Sequence, residues 1–292
     1  MNTSKPAAAS VERHYTRSNL ENTILTALQN AGKNIEQLTV DDLAPVDEMH
    51  TRGREATANI ASLLNIQPNF HVLDVGAGIG GPSRYLASKF GCHVTGLDLV
   101  EEYCRVADSL AKRVKLDKLL TYRQGDATQM PFDDRTFDVV WTQHASMNIA
   151  DKKRLYSEMH RVLKPGGGKL AIYDIFKGSN STSNIDGSAS SIHFPVPWAP
   201  DPSISHLISG EEVRKLLKEI VGFKELAWED KTESVIDWVK QMMKGAQQTR
   251  DGPPQLGLHI IGGPQWSEMV KNALKNLEEG RITVAQGIFE RS

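Results

Sequence analysis

Three aspartates, a run of glycines and one histidine are the residues of this chain whose types and spacing suit chemistry. In Val72-Leu73-Asp74-Val75-Gly76-Ala77-Gly78-Ile79-Gly80-Gly81-Pro82 an apolar run passes into a glycine turn, and a helical pattern follows over 83–90. Gly76 and Gly78 are required at such a bend because side chains would block φ > 0 conformations and the close backbone approach of a ligand. Asp98 ends the next apolar run, where a carboxylate accepts hydrogen bonds from vicinal ribose hydroxyls. Asp126, in Gln124-Gly125-Asp126-Ala127, follows a third run and can accept from an adenine amino group. His144 sits just past a fourth, where a strand delivers residues to a pocket and an imidazole can take a proton from a reacting group.

The elements that must position these residues follow from periodicity. Strand patterns at 72–75, 93–97, 119–122, 137–141 and 169–174 alternate with helical patterns at 83–90, 101–115 and 152–163, which implies parallel βαβ units. Pro165-Gly166-Gly167-Gly168 ends the helix before the fifth strand. Beyond it the pattern predicts helices at 211–220, 232–247 and 265–278 and strands at 224–230 and 282–290, with Ser209 and Glu212 as a capping box. The fold class is α/β, a doubly wound, Rossmann-like, seven-stranded and mostly parallel sheet with helices on both faces. Residues 1–66 read as an N-terminal helical extension and cover. Within it, 1–20 read as a polar tail, 20–31 as an amphipathic helix, 35–43 as a short element, 44–55 as a lead-in able to fold over the site and 56–64 as a helix. Residues 67–292 form the second unit, with an irregular cap insertion at about 177–208 that is Ser-, Gly- and Pro-rich and suits a lid or binding loop.

Composition narrows the partners. Across 292 residues, 34 Lys and Arg against 36 Asp and Glu give a formal net charge of -2, without the basic footprint of a nucleic-acid binder. Cys92 and Cys104 lack metal-ligand spacing and suggest no disulfide framework, so no metal is expected and a reducing cytoplasm is the expected setting. No run approaches the roughly 20 apolar residues of a membrane span, and the polar start lacks a secretory core. Oligomeric state is not encoded in these features.

Two cofactor classes suit the corner: dinucleotides and S-adenosylmethionine. The first would set a pyrophosphate on the helix N-terminus over G-x-G-x-x-G, a spacing that Gly76, Gly78 and Gly81 satisfy. The second carries an ammonium that needs an acceptor near the turn, for which Asp74 is placed. Residues 73–81, Gly96-Leu97-Asp98, Gly125-Asp126-Ala127-Thr128-Gln129-Met130-Pro131-Phe132, Phe137-Asp138-Val139-Val140-Trp141 and Arg161-Val162-Leu163-Lys164-Pro165-Gly166-Gly167 resemble, in order, the motifs of class I S-adenosylmethionine-dependent methyltransferases. Within that superfamily the chain resembles the small-molecule branch, type 11, that includes the sarcosine/dimethylglycine N-methyltransferases, the quinone and tocopherol C-methyltransferases and some sugar O-methyltransferases. The resemblance implies that Asp74, Gly76 and Gly78 surround the methionine part, that Asp98 and Leu99 hold ribose and adenine, that Asp126 and Ala127 meet the adenine, and that Gln143 lies near the methionine part or the methyl group.

For the acceptor, a small molecule, the resemblance favours N-methylation of an amine, with C- or O-methylation of a quinone, phenol or other natural product as the alternative. An amine need only arrive neutral, whereas a phenol or enol more often needs a base, for which His144 is the candidate. His50 and His193 fall in the two cover segments. Trp198, in Pro197-Trp198-Ala199-Pro200, suits stacking on a substrate or facing a cation. An NAD-dependent oxidoreductase and a catalytically inactive adenosylmethionine-binding module are the readings from other classes.

Overall fold

Each β-patterned run pairs into one sheet, and the site lies at the carboxyl ends of its central strands. The protein is seen in a computed structural model that describes residues 4–181, 192–248 and 256–292. Helices α1 (Ser4–Tyr15), α2 (Leu20–Asn30), α3 (Val40–Asp47) and α4 (Gly53–Ser62) precede β1 (His71–Val75). There follow α5 (Gly81–Phe90), β2 (His93–Asp98), α6 (Glu101–Arg113), β3 (Leu120–Gln124), β4 (Val139–Gln143), α7 (Lys152–Val162) and β5 (Gly168–Lys177). The chain closes with α8 (Gly210–Lys215), β6 (Phe223–Asp230), α9 (Thr232–Gln248), α10 (His259–Gly262), α11 (Trp266–Glu278) and β7 (Ile282–Arg291).

The strand order is β3-β2-β1-β4-β5-β7-β6. The first five of these strands pair in parallel, and β7 lies antiparallel between β5 and β6. The chain leaves β1 toward β2 and β3, then returns to β4 on the other side of β1. That reversal opens a crevice above the strand ends, where ligands of doubly wound sheets seat.

Side chains alternate across each strand, so neighbouring residues serve different cores. Leu73 and Val75 face a core with Leu155, Tyr156 and Met159 of α7. Val72 faces the other core, with Ala56 and Ile60 of α4 and Leu86 of α5. A third core clamps the N-terminal helices to the sheet domain: Leu20, Ile24, Leu28, Leu43 and Val46 pack with Val106 and Leu110 of α6 and Ile261 of α10.

Several boundaries differ from the sequence expectation. The polar tail is helical from Ser4 to Tyr15, because docking rather than local propensity holds it. Val11 packs on the core, the His14 ring meets the Pro197 carbonyl oxygen at 3.1 Å, and the Tyr15 hydroxyl donates to Asn148 Oδ1 at 2.9 Å. The element expected at 35–43 is instead α3, started by a capping box between Thr39 and Asp42 and containing Pro45. The fourth strand begins two residues late, at Val139, and reaches Gln143, so Gln143 is its last residue and His144 the turn beyond. The helix expected over 211–220 keeps α geometry only to Lys215. It continues as a π turn over Leu216–Val221, closed by Gly222 at φ 95°. Within the insertion expected at about 177–208, residues 182–191 lie outside those described.

Candidate active site

Backbone hydrogen bonds fix the glycine corner before any side chain is considered. The Gly76 and Ala77 N–H groups both donate to the Leu97 carbonyl oxygen at the end of β2, at 2.8 and 3.2 Å. Gly76 takes φ 76° and Gly78 φ 54°, the left-handed region that L side chains avoid. A Cβ at Gly76 would overlap the Cβ of Ala145, so the bend is closed against the segment that follows β4.

The three acids meet this corner from successive strand ends. Asp74 is 2 % exposed, accepts from Ser83 Oγ at 2.6 Å, and has its carboxyl pushed up to about 7, chiefly by burial and further by the nearby Asp98 and Glu48 charges. Asp98 accepts the Gly78 N–H at one oxygen and the Val100 N–H at the other, at 2.8 and 2.9 Å. Burial raises its carboxyl, and the backbone donors oppose the shift. Each Asp98 oxygen retains a lone pair. Asp126 uses Oδ1 for the N–H and hydroxyl of Thr128, both at 2.7 Å.

Opposite the corner stands a polar cluster that sequence reading only partly named. Gln143, 7 % exposed, accepts the Trp141 indole N–H at 2.8 Å through Oε1, with the Thr57 hydroxyl oxygen 3.3 Å away. An indole N–H can only donate, which fixes the amide's orientation and leaves Gln143 Nε2 buried without a partner among the described residues. His144 holds φ 47°, donates its N–H to the Tyr173 carbonyl oxygen at 2.9 Å, and stacks its ring on Tyr173 at 5.3 Å. Its Nε2 meets Thr51 Oγ1 at 3.3 Å, and Thr51 Oγ1 meets the Tyr173 hydroxyl at 2.9 Å. Burial, helped by the neighbouring His50 charge, holds His144 well below the usual histidine range, so its imidazole is neutral at ordinary pH.

His50, 4 % exposed, presents Nδ1 to its neighbour Thr51's carbonyl oxygen at 3.1 Å and Nε2 to Glu48 at 3.0 Å. Glu48 is itself buried and also accepts from Arg54 Nε and from the Thr57 hydroxyl, at 2.5 and 2.8 Å; these partners hold it low against the opposing effect of burial. The lead-in segment before α4 is thus a rigid wall of the site. The only sequence signal for it was the density of Asp47-Glu48-Met49-His50 ahead of the first strand.

The corner, the three acids and part of the polar cluster open on one cavity of about 640 Å³, within the range of ligand pockets. Asp74, Gly76, Gly78, Asp98, Leu99, Asp126, Ala127, Gln143, His144, His50 and Trp198 all line it. Trp198 is 1 % exposed and spends its indole N–H on Ser205 Oγ, so its ring is held as packing at the cavity edge. His193 is not among the lining residues. Its ring pairs with Glu279 at 2.9 Å and its N–H donates to Asn276, so it ties the insertion to the end of α11. Sequence reading missed the far wall, contributed by α9, α10, α11 and β7. Its signal was the apolar stripe of α9 and α11, which periodicity assigns equally well to an ordinary core. Among the described residues no cluster of His, Cys, Asp and Glu is arranged to hold a metal, and no helix is long and apolar enough to cross a membrane.

Comparison with known proteins points the same way. Residues 73–171 match the family described as "Methyltransferase domain". A sterol methyltransferase-like 2 from Botryococcus braunii is 42% identical over 248 residues, covering 80% of this chain and 60% of that protein. A sarcosine/dimethylglycine N-methyltransferase from Halorhodospira halochloris is 30% identical over 196 residues, covering 67% of this chain and 65% of that protein. The chain thus spans less than two thirds of these relatives. The solved geranyl diphosphate C-methyltransferase from Streptomyces coelicolor A3(2) superposes with a TM-score of 0.69 over 98% of both chains at 15% identity, a likeness of fold.

Proposed function

On the premise that this chain carries a methyltransferase domain of the class I S-adenosylmethionine-dependent kind, we propose that it transfers a methyl group from S-adenosylmethionine to a small-molecule acceptor. The observation that carries this reading is the convergence of the glycine corner and three strand-end acids on one cavity. The residues fit the cofactor: the crevice at Gly76 has no room for a side chain, and Gln143 Nε2 is a buried donor in need of an acceptor. When bound, the cofactor supplies an electrophilic methyl on a sulfonium that is already a good leaving group.

The chain's own residues bind and orient. Asp98 accepts the two ribose hydroxyls on its free lone pairs, Leu99 and Ala127 flank the adenine, and Asp126 accepts from the adenine amino group. Asp74 balances the ammonium, and Gln143 donates to the carboxylate. Residues 1–66 serve as the cover and 67–292 as the methyltransferase domain, and Pro197 and Trp198 close part of the cavity. His144 takes the acceptor's proton, which favours a hydroxyl or an enol carbon over an amine. N-methylation remains the second reading, favoured by the alignment with the sarcosine/dimethylglycine enzyme. A mass-shift screen of amines, phenols and hydroquinones tests both. Calorimetry that finds NAD bound in place of S-adenosylmethionine and S-adenosylhomocysteine would sink the reading.

Two outcomes follow for the cofactor. Asp98→Ala is expected to weaken binding by on the order of 1–3 kcal/mol, because ribose hydroxyls lose their acceptor in a closed site. An unchanged dissociation constant by calorimetry would remove Asp98 from the ribose. The second concerns pH. A carboxyl whose folded value is raised from 3.8 to about 7 favours folding fully below the unfolded value, and that contribution is lost as pH rises through about 7. An ammonium beside Asp74 favours the ionised form, so binding releases a proton at acid pH. Affinity is expected to rise as pH increases from about 5.5 toward 7.5, by at most roughly tenfold per unit, and then level off. Asp74→Asn removes the dependence, and calorimetry in buffers of different ionisation enthalpy counts the proton.

A further inference from the structure

The cavity is chemically divided, and the division names the acceptor. Every titratable residue that lines it lies on the strand-end side or on the N-terminal segments. The wall built by α9, α10, α11 and β7 contributes Trp238, Met242, Ile261, Trp266, Met269 and Val270 and, among the described residues, no charged side chain. Among the described residues the two guanidinium groups that line the cavity, Arg17 of the N-terminal segment and Arg154 of α7, lie away from that wall and give part of their donors to protein oxygens. Arg17 Nη1 donates to the His14 and Thr16 carbonyl oxygens, and Arg154 Nε to the Thr128 carbonyl oxygen at 2.8 Å. A carboxylate or phosphate seated against the wall of α9, α10, α11 and β7 would be desolvated with no cationic side chain among that wall's described residues to receive it, which is strongly unfavourable.

We infer that the acceptor is an uncharged, largely apolar molecule bearing one ionisable hydroxyl or enol, seated between α9, α11 and β7 with its reactive end toward His144. The inference rests on the methyl-transfer reading only for the reaction and not for the seat itself. Apolar surface here gains from leaving water whatever its detailed shape, so Trp238, Trp266 and Met269 select by size and absence of charge. Methionine adapts to irregular ligands, and the wall presents two of them.

The test uses the full chain with S-adenosylhomocysteine present and two readouts. The neutral dye N-phenyl-1-naphthylamine is titrated by fluorescence and displaced with 4-nonylphenol, and methyl transfer from labelled cofactor is compared for 4-nonylphenol, sarcosine and dimethylglycine. Saturable dye binding, displacement by the phenol and transfer to the phenol alone are expected. Met269→Lys and the milder, space-filling Ala273→Phe should each weaken dye binding by about tenfold or more. Calorimetry with S-adenosylhomocysteine verifies that each variant remains folded at the cofactor end. Transfer to sarcosine or dimethylglycine with no binding of dye or phenol would overturn the inference, as would equal dye binding by Ala273→Phe and the parent. Saturable dye binding without any S-adenosylhomocysteine binding would overturn the methyl-transfer reading and leave the apolar seat standing.

Discussion

Replacing His144 is expected to lower methyl transfer to a hydroxyl or enol acceptor by about 10²- to 10⁴-fold, the usual worth of a positioned general base, with cofactor affinity unchanged. The choice of variant matters. His144 holds φ 47°, and alanine tolerates that region poorly, whereas asparagine enters it readily. His144→Asn therefore preserves the turn while removing the base, and a loss of rate in that variant is chemistry rather than backbone strain. Burial supplies the second signature. A histidine held well below 6.5 is neutral above its folded value and protonates only as pH falls through it. The parent's rate should thus show no loss from this group across pH 6.5–8, and Thr51→Val, which removes the Nε2 partner, should lower the rate less than His144→Asn. Equal kcat in parent and His144→Asn, measured at saturating cofactor, would exclude His144 as the base and return N-methylation to first place.

Arg84→Met is expected to cost about 3–5 kcal/mol of folding stability, because it strands a buried carboxylate. Arg84 Nη2 meets Asp47 Oδ2 at 2.8 Å with both side chains 0% exposed, and the same guanidinium donates to the Ile79 and Ala107 carbonyl oxygens. Asp47 Oδ1 has no partner among the described residues, so little else compensates the charge. Burial already raises the Asp47 carboxyl against the pull of Arg84. Without Arg84 the rise is larger, the folded state holds the proton more tightly than the unfolded one, and stability is lost as pH increases. The deficit of Arg84→Met should accordingly be greater at pH 8 than at pH 5.5 in denaturant titrations. Asp47→Leu combined with Arg84→Met should recover most of the loss, since replacing both partners removes the stranded charge. A single variant as stable as the parent would show that the pair is dispensable. Cofactor affinity should fall with stability, because Asp47 ends α3 against Gly81 and lines the cavity.

Local sequence was a good guide wherever the physics is local. The alternation of 2- and 3.6-residue periods gave the sheet, and glycines at 76 and 78 announced a bend that only a near-absent side chain allows. Strand-end acids were legible for the same reason: a strand followed by a turn delivers its last residues to the crevice of a doubly wound sheet. Boundaries slipped where docking outweighs propensity, as in α1, whose polar residues are held by contacts to Asn148 and Pro197 more than 130 residues away.

What the sequence determined by itself is the gathering of Asp74, the glycines, Asp98 and Asp126 at one corner, because each belongs to a short strand-turn unit whose pattern is written in adjacent residues. Tertiary structure alone decided which histidines and apolar residues join them on the cavity. His193 had the same sequence standing as His50, yet one ring pairs with Glu279 outside the cavity and the other lines it beside Glu48. The neutrality of His144 comes from burial, and burial is a property of packed neighbours rather than of a chain segment. The apolar wall of Trp238, Met242, Trp266, Met269 and Val284 likewise reads locally as ordinary core; only the fold brings it to the cavity that Gln143 and His144 also line.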